Sequence, residues 1–473
     1  MRSALAVLLC SSSLAACARP APPLRPPTPA PAQALSFADE TRAVLDDLVQ
    51  VDTSHGRETD ALRPLADKLR GSLPLELVES SPGHGNLVAR YRGNGAKKPL
   101  LLIAHVDVVP VEGQPWTVPP FRLTEKDGFL WGRGVNDDKG MAAAMVAIAL
   151  ELVRSRPVLS RDVIFALTSG EETGGVSGAQ WLAHNRRDLI DPEIALNEGG
   201  LARLDDDGNR VIEVGIGAAE KTFQDYRLAV RGSGGHSSVP PTDADPVLTL
   251  ARALVKVGEF RFPARVLPAE REELAADARV GKPPVSDAEA RAAATGEVTP
   301  DDERVLSRDR MVNAHLRTTC VTTQLEGSPQ DNVLPTSAQA TVNCRILPDE
   351  TPEQTLATLK RVVGDPAVEI APVRDFGYGP YSALDSDVEA SIRQVAAAVW
   401  PDSTVIRTMG TGATDSRHLR AIGIRAYGVS VSPTTKAEAM SGHAAHGPDE
   451  RRPAKWLADG ARFLMNLTYA LAK

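Results

Sequence analysis

The chain has 473 residues, of which 42% are hydrophobic and 24% are charged, and its formal net charge is −8. A chain of this length and composition can bury a large core and is expected to form a globular protein of two domains. Its negative charge and the lack of a long basic tract argue against a nucleic-acid-binding surface.

The first 17 residues have the pattern of a targeting segment. A positive start at Arg2 is followed by an apolar run from Ala4 to Leu9, and Leu14-Ala15-Ala16-Cys17 resembles the box at which bacterial lipoproteins are cut and lipidated. We therefore expect a lipid on Cys17 that anchors the protein without spanning the membrane. The alternative is a plain secretory signal in which the cysteine is incidental.

The segment that follows, residues 18–36, is rich in proline and is expected to form an extended, semi-rigid tether. No later stretch is apolar for long enough to cross a bilayer. The sequence therefore predicts a protein on the periplasmic side of the bacterial envelope, held at the outer membrane by its lipid only.

Two cysteines, Cys320 and Cys344, remain in the predicted folded part. Each lies in an alternating, strand-like run, and the two runs flank a turn-rich segment, so they can face each other across an antiparallel pair. An oxidising compartment would allow a disulfide bond. Two buried free thiols are the alternative, and the pattern does not decide between them.

The most informative stretch begins with the apolar run Leu100–Ala104, which predicts a buried parallel strand. His105 and Asp107 follow it, two residues apart and therefore on the same face of an extended chain. This spacing suits a metal-binding histidine that gives its second ring N–H to a carboxylate. We predict that His105 is the ligand and that Asp107 orients it.

Other carboxylates follow the same plan. Asp137 lies on a glycine-containing loop just before a predicted helix at 141–153, Glu171 and Glu172 follow an apolar strand at 163–168, and Glu198 follows another at 193–196. Alternating strands and helices predict an α/β fold with a mostly parallel sheet, and such sheets place their sites at the carboxyl ends of the strands.

Brought together, these residues and one C-terminal histidine would supply two imidazoles and three carboxylates, a set suited to zinc. Two zinc ions, three carboxylates and a bridging hydroxide sum to zero charge, which avoids the cost of an uncompensated buried charge. Asp137 has two oxygens and could bridge both metals. His443 and His446 compete for the last ligand position.

Six short signatures resemble the co-catalytic zinc peptidases of the M20 family, which includes carboxypeptidase S, aminoacylase and succinyl-diaminopimelate desuccinylase. They occur in family order and span nearly all of the predicted mature chain: HVD at 105–107, GRGVNDDKG at 132–140, SGEE at 169–172, NEGG at 197–200, GGHSS at 234–238 and HGPDE at 446–450. The last match favours His446 over His443.

The resemblance implies a role for each matching residue. His105 and Glu198 would hold one zinc ion, Glu172 and His446 the other, and Asp137 would bridge them. Glu171 would be the general base, taking a proton from a metal-bridging water so that the resulting hydroxide attacks an amide carbonyl, and then returning the proton to the leaving nitrogen.

Further residues resemble family positions that contact the substrate or the reacting atoms. His236 would donate to the oxyanion, and in dimeric relatives this histidine comes from the partner subunit. Arg345 and Asn332 would contact substrate, the arginine binding a carboxylate, and Gly412 and Asp415 lie in a glycine-rich loop. His236 has the alternative of an ordinary turn histidine, and Arg345 that of a solvated strand residue.

An inserted α+β lid, of the dimerisation type, is predicted within the catalytic domain. Residues 260–310 add a charged, alanine-rich stretch that resembles the enlarged lid of the carboxypeptidase S and N-acyl-amino-acid hydrolase branch; the alternative is a solvated helical excursion without a catalytic part. The predicted divisions are a signal at 1–17, a linker at 18–36, a catalytic domain at 37–220 and 349–473, and the lid at 221–348.

Taken together, the patterns predict a metallopeptidase that hydrolyses an amide bond in short peptides, of the carboxypeptidase or dipeptidase type. An N-acyl-amino-acid deacylase is the enzymatic alternative, and a peptide-binding lipoprotein is the alternative without catalysis. The expected partners are a small peptide or N-acyl amino acid, with the protein a monomer or a homodimer.

Overall fold

The computed structural model describes residues 35–174, 177–242, 245–328, 330–374 and 378–473. The predicted signal, its Cys17 and almost all of the proline-rich linker lie outside the described residues. Residues Phe37–Lys473 form one compact unit.

Helices and strands alternate through most of this unit. The helices are α1 (Phe37–Val49), α2 (Glu58–Leu69), α3 (Lys139–Ser155), α4 (Ala179–Asn185), α5 (Pro246–Glu259), α6 (Pro268–Val280), α7 (Val285–Thr295), α8 (Pro300–Leu306), α9 (Arg310–Leu316), α10 (Pro352–Val363), α11 (Ser386–Val399), α12 (Ser416–Ala421), α13 (Lys436–Ala439) and α14 (Trp456–Ala472).

The strands are β1 (Leu75–Ser81), β2 (His84–Tyr91), β3 (Leu100–His105), β4 (Thr124–Lys126), β5 (Phe129–Trp131), β6 (Val163–Thr168), β7 (Ile194–Asn197), β8 (Leu201–Leu204), β9 (Val211–Glu220), β10 (Thr222–Arg231), β11 (Gly235–His236), β12 (Thr319–Glu326), β13 (Val333–Leu334), β14 (Ser337–Ile346), β15 (Glu369–Pro372), β16 (Thr404–Gly410), β17 (Arg425–Gly428) and β18 (Arg451–Pro453).

A nine-stranded sheet organises the described catalytic part, in the order β1-β2-β6-β3-β7-β17-β9-β16 with β8 beside β9. The strands β6, β3, β7 and β17 at its centre run parallel, and β16 runs parallel to β9. Antiparallel pairs join β1 to β2 and β2 to β6 at one end, and join β9 to β8 and β17. The predicted α/β fold class is confirmed.

Both faces of the central strand β3 are buried, which explains its uninterrupted apolar sequence. Leu100 and Leu102 point into the core formed with α1, α3 and α14, whereas Leu101 and Ile103 point into the core on the other face, formed with α4 and α12. His105 is the last residue of the strand and lies at its carboxyl end.

The lid region contains a four-stranded antiparallel sheet in the order β12-β14-β10-β15. Its core includes Leu228 of β10 and Val342 of β14, packed with Leu250 of α5 and Leu359 of α10. The last strand, β15, comes from residues beyond position 348, where the sequence predicted the lid to end. The lid sheet therefore takes its edge from the segment assigned to the returning catalytic domain; the domain division itself stays a prediction.

A disulfide bond joins Cys320 of β12 to Cys344 of β14. The two residues are directly opposite each other in the antiparallel register, as the strand-like runs around them suggested. Of the two alternatives left open by the sequence, the structure has the disulfide.

Removing this bond should lower the free energy of unfolding by about 3 kcal/mol, because it closes a loop with a sequence separation of 24 residues. The measurement is urea denaturation of a Cys320→Ser, Cys344→Ser double variant, with reduced wild-type protein as the control for the serine hydroxyls. Equal unfolding midpoints for the oxidised and reduced wild-type protein would contradict the prediction.

The alanine-rich insertion is helical, as predicted, and it is packed rather than extended into solvent. Helices α6 to α9 enclose a small core of their own that includes Leu274, Ala292, Leu306 and Leu316. Helix α6 also attaches to the catalytic sheet, since the carboxylate of Glu272 accepts a hydrogen bond of 2.8 Å from the backbone N–H of Arg407 in β16.

The sequence pattern from Asp449 to Leu471 predicts a closing helix, but α14 begins at Trp456. The intervening residues are used differently: Asp449 accepts hydrogen bonds from the backbone and hydroxyl of Thr117, and β18 pairs with β5. None of the helices in the described residues is both long enough and apolar enough to cross a bilayer.

Candidate metal centre

His105, at the end of β3, is buried and points its Nε2 atom toward two carboxylates. This atom lies 2.9 Å from Oδ1 of Asp137 and 3.6 Å from Oε1 of Glu198. On the other side of the ring, Nδ1 lies 3.0 Å from the backbone oxygen of Asp107 and 3.5 Å from Oδ1 of the same residue. Asp107 therefore contacts Nδ1 of His105 with both its backbone oxygen and its carboxylate, and the backbone oxygen is the nearer of the two.

The carboxylate of Asp107 also has two backbone partners. Its two oxygens accept hydrogen bonds from the backbone N–H groups of Glu171 and Glu172, at 3.2 Å and 3.0 Å. These residues follow β6 through Gly170, whose φ of +73° favours glycine and where a Cβ would clash with Ser177. Asp107 thus fixes the backbone of the two glutamates beside His105.

Asp137 lies between the two histidines. Its Oδ2 is 3.1 Å from Nε2 of His446, which is also 3.0 Å from Oε1 of Glu172. Two groups of potential metal ligands therefore share Asp137: His105, Asp137 and Glu198 in one, and Asp137, Glu172 and His446 in the other. His446 is the histidine at this site, since Nδ1 of His443 contacts the backbone oxygen of Pro448.

The spacing of these donor atoms fits a bound metal. Two ligands that each lie about 2.0–2.2 Å from one zinc ion in a tetrahedron are about 3.4 Å apart. The histidine–carboxylate donor pairs in the two groups are separated by 2.9 to 3.6 Å. The nitrogen and carboxylate donors predicted from the sequence are therefore placed as two adjacent ions would require.

Electrostatics at the site also favour cations. Burial, together with repulsion from neighbouring carboxylates, raises the pKa of Glu171, Glu172 and Glu198. Burial acts the same way on Asp137, but hydrogen bonds from His105 and His446 outweigh it and lower the pKa of that carboxyl. Carboxylates crowded into a buried site create a negative potential that divalent ions would neutralise.

Glu450 holds the loop that carries Asp137. It is fully buried, and its carboxylate accepts hydrogen bonds from Arg133 (2.8 Å), from the backbone of Gly134 (3.1 Å) and from the backbone of Asn136 (2.8 Å). Arg133 also donates to the backbone oxygen of Gly447, next to His446. This buried ion pair links the Asp137 loop to the His446 loop.

No role for Glu450 or Arg133 was predicted. Both lie inside signatures that were recognised for other residues, HGPDE and GRGVNDDKG. The burial and pairing of this acid and base follow only from the contact between the two loops, so the sequence offered no signal that singles them out.

A cavity of about 540 Å³ opens beside the two ligand groups. Its lining includes four of the potential metal ligands and the predicted general base, namely Asp137, Glu172, Glu198, His446 and Glu171. Among its other lining residues are three arginines and the glycine-rich loop, namely Arg345, Arg374, Arg417, Gly412, Ala413 and Thr414.

Arg345 projects from β14 into this cavity and stacks on the ring of Phe223, 4.6 Å from the ring centre. It is therefore not an ordinary solvated strand residue. Gly412 lines the same cavity, as predicted. Arg417 was not predicted as a site residue, although it stands within the glycine-rich GTGATDSRHL stretch that drew attention to Gly412 and Asp415.

Besides Asp107, three predicted substrate or catalytic residues do not line this cavity. Asp415 is buried and accepts a hydrogen bond of 3.0 Å from the hydroxyl of Thr168, so it lies in the wall rather than at the surface of the site. His236 and Asn332 are exposed and lie near each other where β11 pairs with β13. Nδ1 of His236 contacts the hydroxyl of Ser238 at 2.8 Å, a local turn contact.

Comparison with known proteins identifies the family. The model of peptidase family M20/M25/M40 matches residues 101–470. The chain belongs to this family. The M20 family consists of metallopeptidases and amidohydrolases, so the predicted family and the predicted enzyme class are both confirmed.

Among curated proteins, the chain is 27% identical over 432 residues to the N-fatty-acyl-amino acid synthase/hydrolase PM20D1 of Mus musculus, covering 81% of this chain and 79% of that one. It is 28% identical over 410 residues to a probable carboxypeptidase S-like 2 of Dictyostelium discoideum, covering 82% and 74%. Among solved structures, an M20 family metallo-carboxypeptidase from Sulfolobus solfataricus aligns with a TM-score of 0.69 at 21% identity, over 91% of this chain and 99% of the other. At that identity the likeness concerns the fold.

Proposed function

We propose that this protein is a two-zinc amidohydrolase that cleaves the amide bond of an N-acylated amino acid with a free carboxylate, whether the acyl group is another amino acid or a fatty acid. The observation that carries the proposal is a single cavity that is lined both by the metal-ligand residues and by Arg345 and Arg417. Dipeptides and N-acyl amino acids share this arrangement of scissile amide and neighbouring carboxylate.

His105 and Glu198 would hold one ion and Glu172 and His446 the other, with Asp137 between them. A mixed set of imidazoles and carboxylates suits zinc. Bound zinc would supply a water of lowered pKa and polarise the substrate carbonyl.

Glu171 is the residue placed to move the proton. It lines the cavity next to Glu172, belongs to neither ligand group, and has its backbone fixed by Asp107. In the proposed reaction, a carboxylate oxygen of Glu171 takes a proton from the attacking water and then gives it to the leaving nitrogen, so that amine and acid are released.

Arg345 and Arg417 are proposed to bind the substrate carboxylate, since a guanidinium can form two parallel hydrogen bonds to a carboxylate. Arg345→Ala should raise KM about 10- to 100-fold, with a smaller change in kcat, because one charge-assisted contact is worth about 1.5–3 kcal/mol. The measurement is steady-state kinetics on an N-acyl amino acid and on its carboxamide.

The matched control is Arg227→Ala, an exposed residue of β10 that does not line the cavity, which should keep the wild-type KM. The wild-type protein should prefer the carboxylate substrate, and Arg345→Ala should lose most of that preference. If the variant keeps the wild-type preference for the carboxylate substrate, Arg345 does not recognise the carboxylate.

The similarity to an N-fatty-acyl-amino acid synthase/hydrolase supports a fatty-acyl substrate, and the similarity to a carboxypeptidase S-like protein supports a peptide substrate. To decide between these two substrate classes, kcat/KM of the zinc-loaded protein is compared on dipeptides and on N-acyl amino acids of increasing chain length. Failure to hydrolyse any of these, combined with measurable binding, would favour a peptide-binding lipoprotein instead.

Attachment to the envelope by a lipid on Cys17, on the periplasmic side of the outer membrane, is also part of the proposal. It is supported by the Leu14–Cys17 box, by the proline-rich tether and by the Cys320–Cys344 disulfide, which suits an oxidising compartment. The wild-type protein should fractionate with membranes, and Cys17→Ser should be released. Equal membrane recovery of the two would contradict the lipid anchor.

A homodimer is supported by the position of His236, which is exposed and outside the cavity of its own chain. We propose that a second copy brings this histidine to the site. Mixing Glu171→Gln and His236→Ala chains should then restore activity, because one site of each hybrid dimer has both residues. Full activity of a strictly monomeric protein would contradict this.

A further inference from the structure

A third group of potential metal ligands lies far along the chain from the catalytic residues, in the alanine-rich insertion. Glu270 and Glu273 are on α6, one helical turn apart, and His315 is on α9. Nδ1 of His315 lies 3.2 Å from Oε2 of Glu270 and 3.5 Å from Oε2 of Glu273. The proposed hydrolase mechanism uses none of them.

One ring nitrogen therefore faces two carboxylate oxygens. Both Oε2 atoms are buried, and apart from His315 neither has a polar partner. Glu270 is only 2% exposed, and its side chain borders a cavity of about 310 Å³. A single proton on Nδ1 can serve only one of the two oxygens, so the other buried carboxylate is left without a partner in the group.

A divalent cation would satisfy all three donors at once. Ligands of one zinc ion are about 3.4 Å apart, and the two contacts of His315 match this as closely as the contacts in the catalytic groups do. Two buried carboxylates on one side of the ring create a negative potential that would attract a cation.

The adjoining cavity leaves room for water to complete the coordination. Arg203 and Asp277, which also line this cavity, pair with each other, and Arg203 pairs with Glu213 as well. From these observations we propose that Glu270, Glu273 and His315 bind a third divalent ion, of the class that accepts imidazole and carboxylate ligands, with zinc the best match.

The ion would tie α6 to α9, and through them the insertion to the catalytic sheet. Helix α6 contacts β16 through Glu272, and the end of α9 is held by Lys221, whose Nζ donates to the backbone oxygens of Ala314 and Arg317. Lys221 lies between β9 of the catalytic sheet and β10 of the lid sheet. The third ion is therefore a structural one, which holds the insertion where the two sheets meet.

The test is the zinc content of the full chain after loading and exhaustive dialysis, measured by mass spectrometry. The wild-type protein should retain three ions per chain, and a Glu270→Gln, Glu273→Gln variant two. Glu272→Gln, on the same helix between the two ligands, is the matched control and should retain three. An Asp137→Asn, His446→Ala variant should keep the insertion ion while losing zinc from the catalytic site.

The outcomes separate the two metal proposals. Two ions in both the wild-type protein and the Glu270→Gln, Glu273→Gln variant would overturn the third site and leave the catalytic site standing. If the wild-type protein retains one ion and the double variant none, the third site is supported and the catalytic pair is not.

Should the double variant fold poorly, Glu273→Gln alone should weaken zinc binding at the third site at least about tenfold, since losing even an outer partner costs about 10- to 100-fold. Unchanged affinity would contradict the site.

Discussion

Replacing Glu171 with glutamine should lower kcat by at least about 10²- to 10⁴-fold, the range that general acid–base catalysis contributes. The metal content should stay at the wild-type level, because Glu171 lines the cavity but belongs to neither ligand group. The two quantities should be measured on the same preparation, by steady-state kinetics and by metal analysis.

Glu172→Gln is the natural comparison, since the neighbouring glutamate contacts His446 and shares a ligand group with it. This variant should lose both activity and metal. If the Glu171→Gln protein has wild-type turnover, Glu171 does not transfer the proton. If the variant loses metal, Glu171 is a metal ligand instead.

Replacing Glu450 with alanine should lower the free energy of unfolding by about 3–5 kcal/mol, the cost of breaking a buried ion pair from one side. Arg133 would be left charged and buried, and the backbone N–H groups of Gly134 and Asn136 would lose their acceptor. Because Asp137 directly follows Asn136 in the loop, the affinity of the protein for metal should fall as well.

The measurement is urea denaturation of metal-free protein, followed by metal titration. Glu151→Ala is the matched control: its ion pair with Arg154 is partly exposed and should be worth at most about 1 kcal/mol. A loss below about 1 kcal/mol for Glu450→Ala, with unchanged metal affinity, would show that the loop does not depend on this carboxylate.

Much of the catalytic part could be predicted from the sequence because its key signals are local. The run Leu100–Ala104 is apolar throughout because both faces of β3 are covered, and His105 follows directly at the carboxyl end of the strand. Glu172 and Glu198 follow the ends of β6 and β7, the two strands that flank β3. Parallel strands bring such positions to one edge of the sheet, so the convergence follows from the fold class.

The parts that could not be predicted depend on contacts between distant segments. The pair Arg133–Glu450 joins two loops more than 300 positions apart, and nothing local distinguishes this glutamate from its neighbours. Strand β15 joins the lid sheet by pairing with β10, although it follows a helix that reads as part of the returning domain. The start of α14 was misplaced because tertiary contacts of Asp449 and the pairing of β18 override the local helical pattern.

The insertion shows the same limit on a smaller scale. Glu270 and Glu273 stand one turn apart in a segment that reads as a solvated, alanine-rich helix. Only the packing of α6 against α9 turns their side chains toward His315 and buries them. The helices could be predicted from the sequence, but the group of Glu270, Glu273 and His315 forms only through the packing of these helices against each other.

The most direct test of the two-metal site is a crystal structure of the zinc-loaded protein with anomalous data collected at the zinc edge. It should contain two adjacent peaks with one oxygen of Asp137 directed at each, the first also bound by His105 and Glu198 and the second by Glu172 and His446. A single peak, or a pair of peaks that Asp137 does not touch, would contradict the shared site on which the proposed hydrolysis depends.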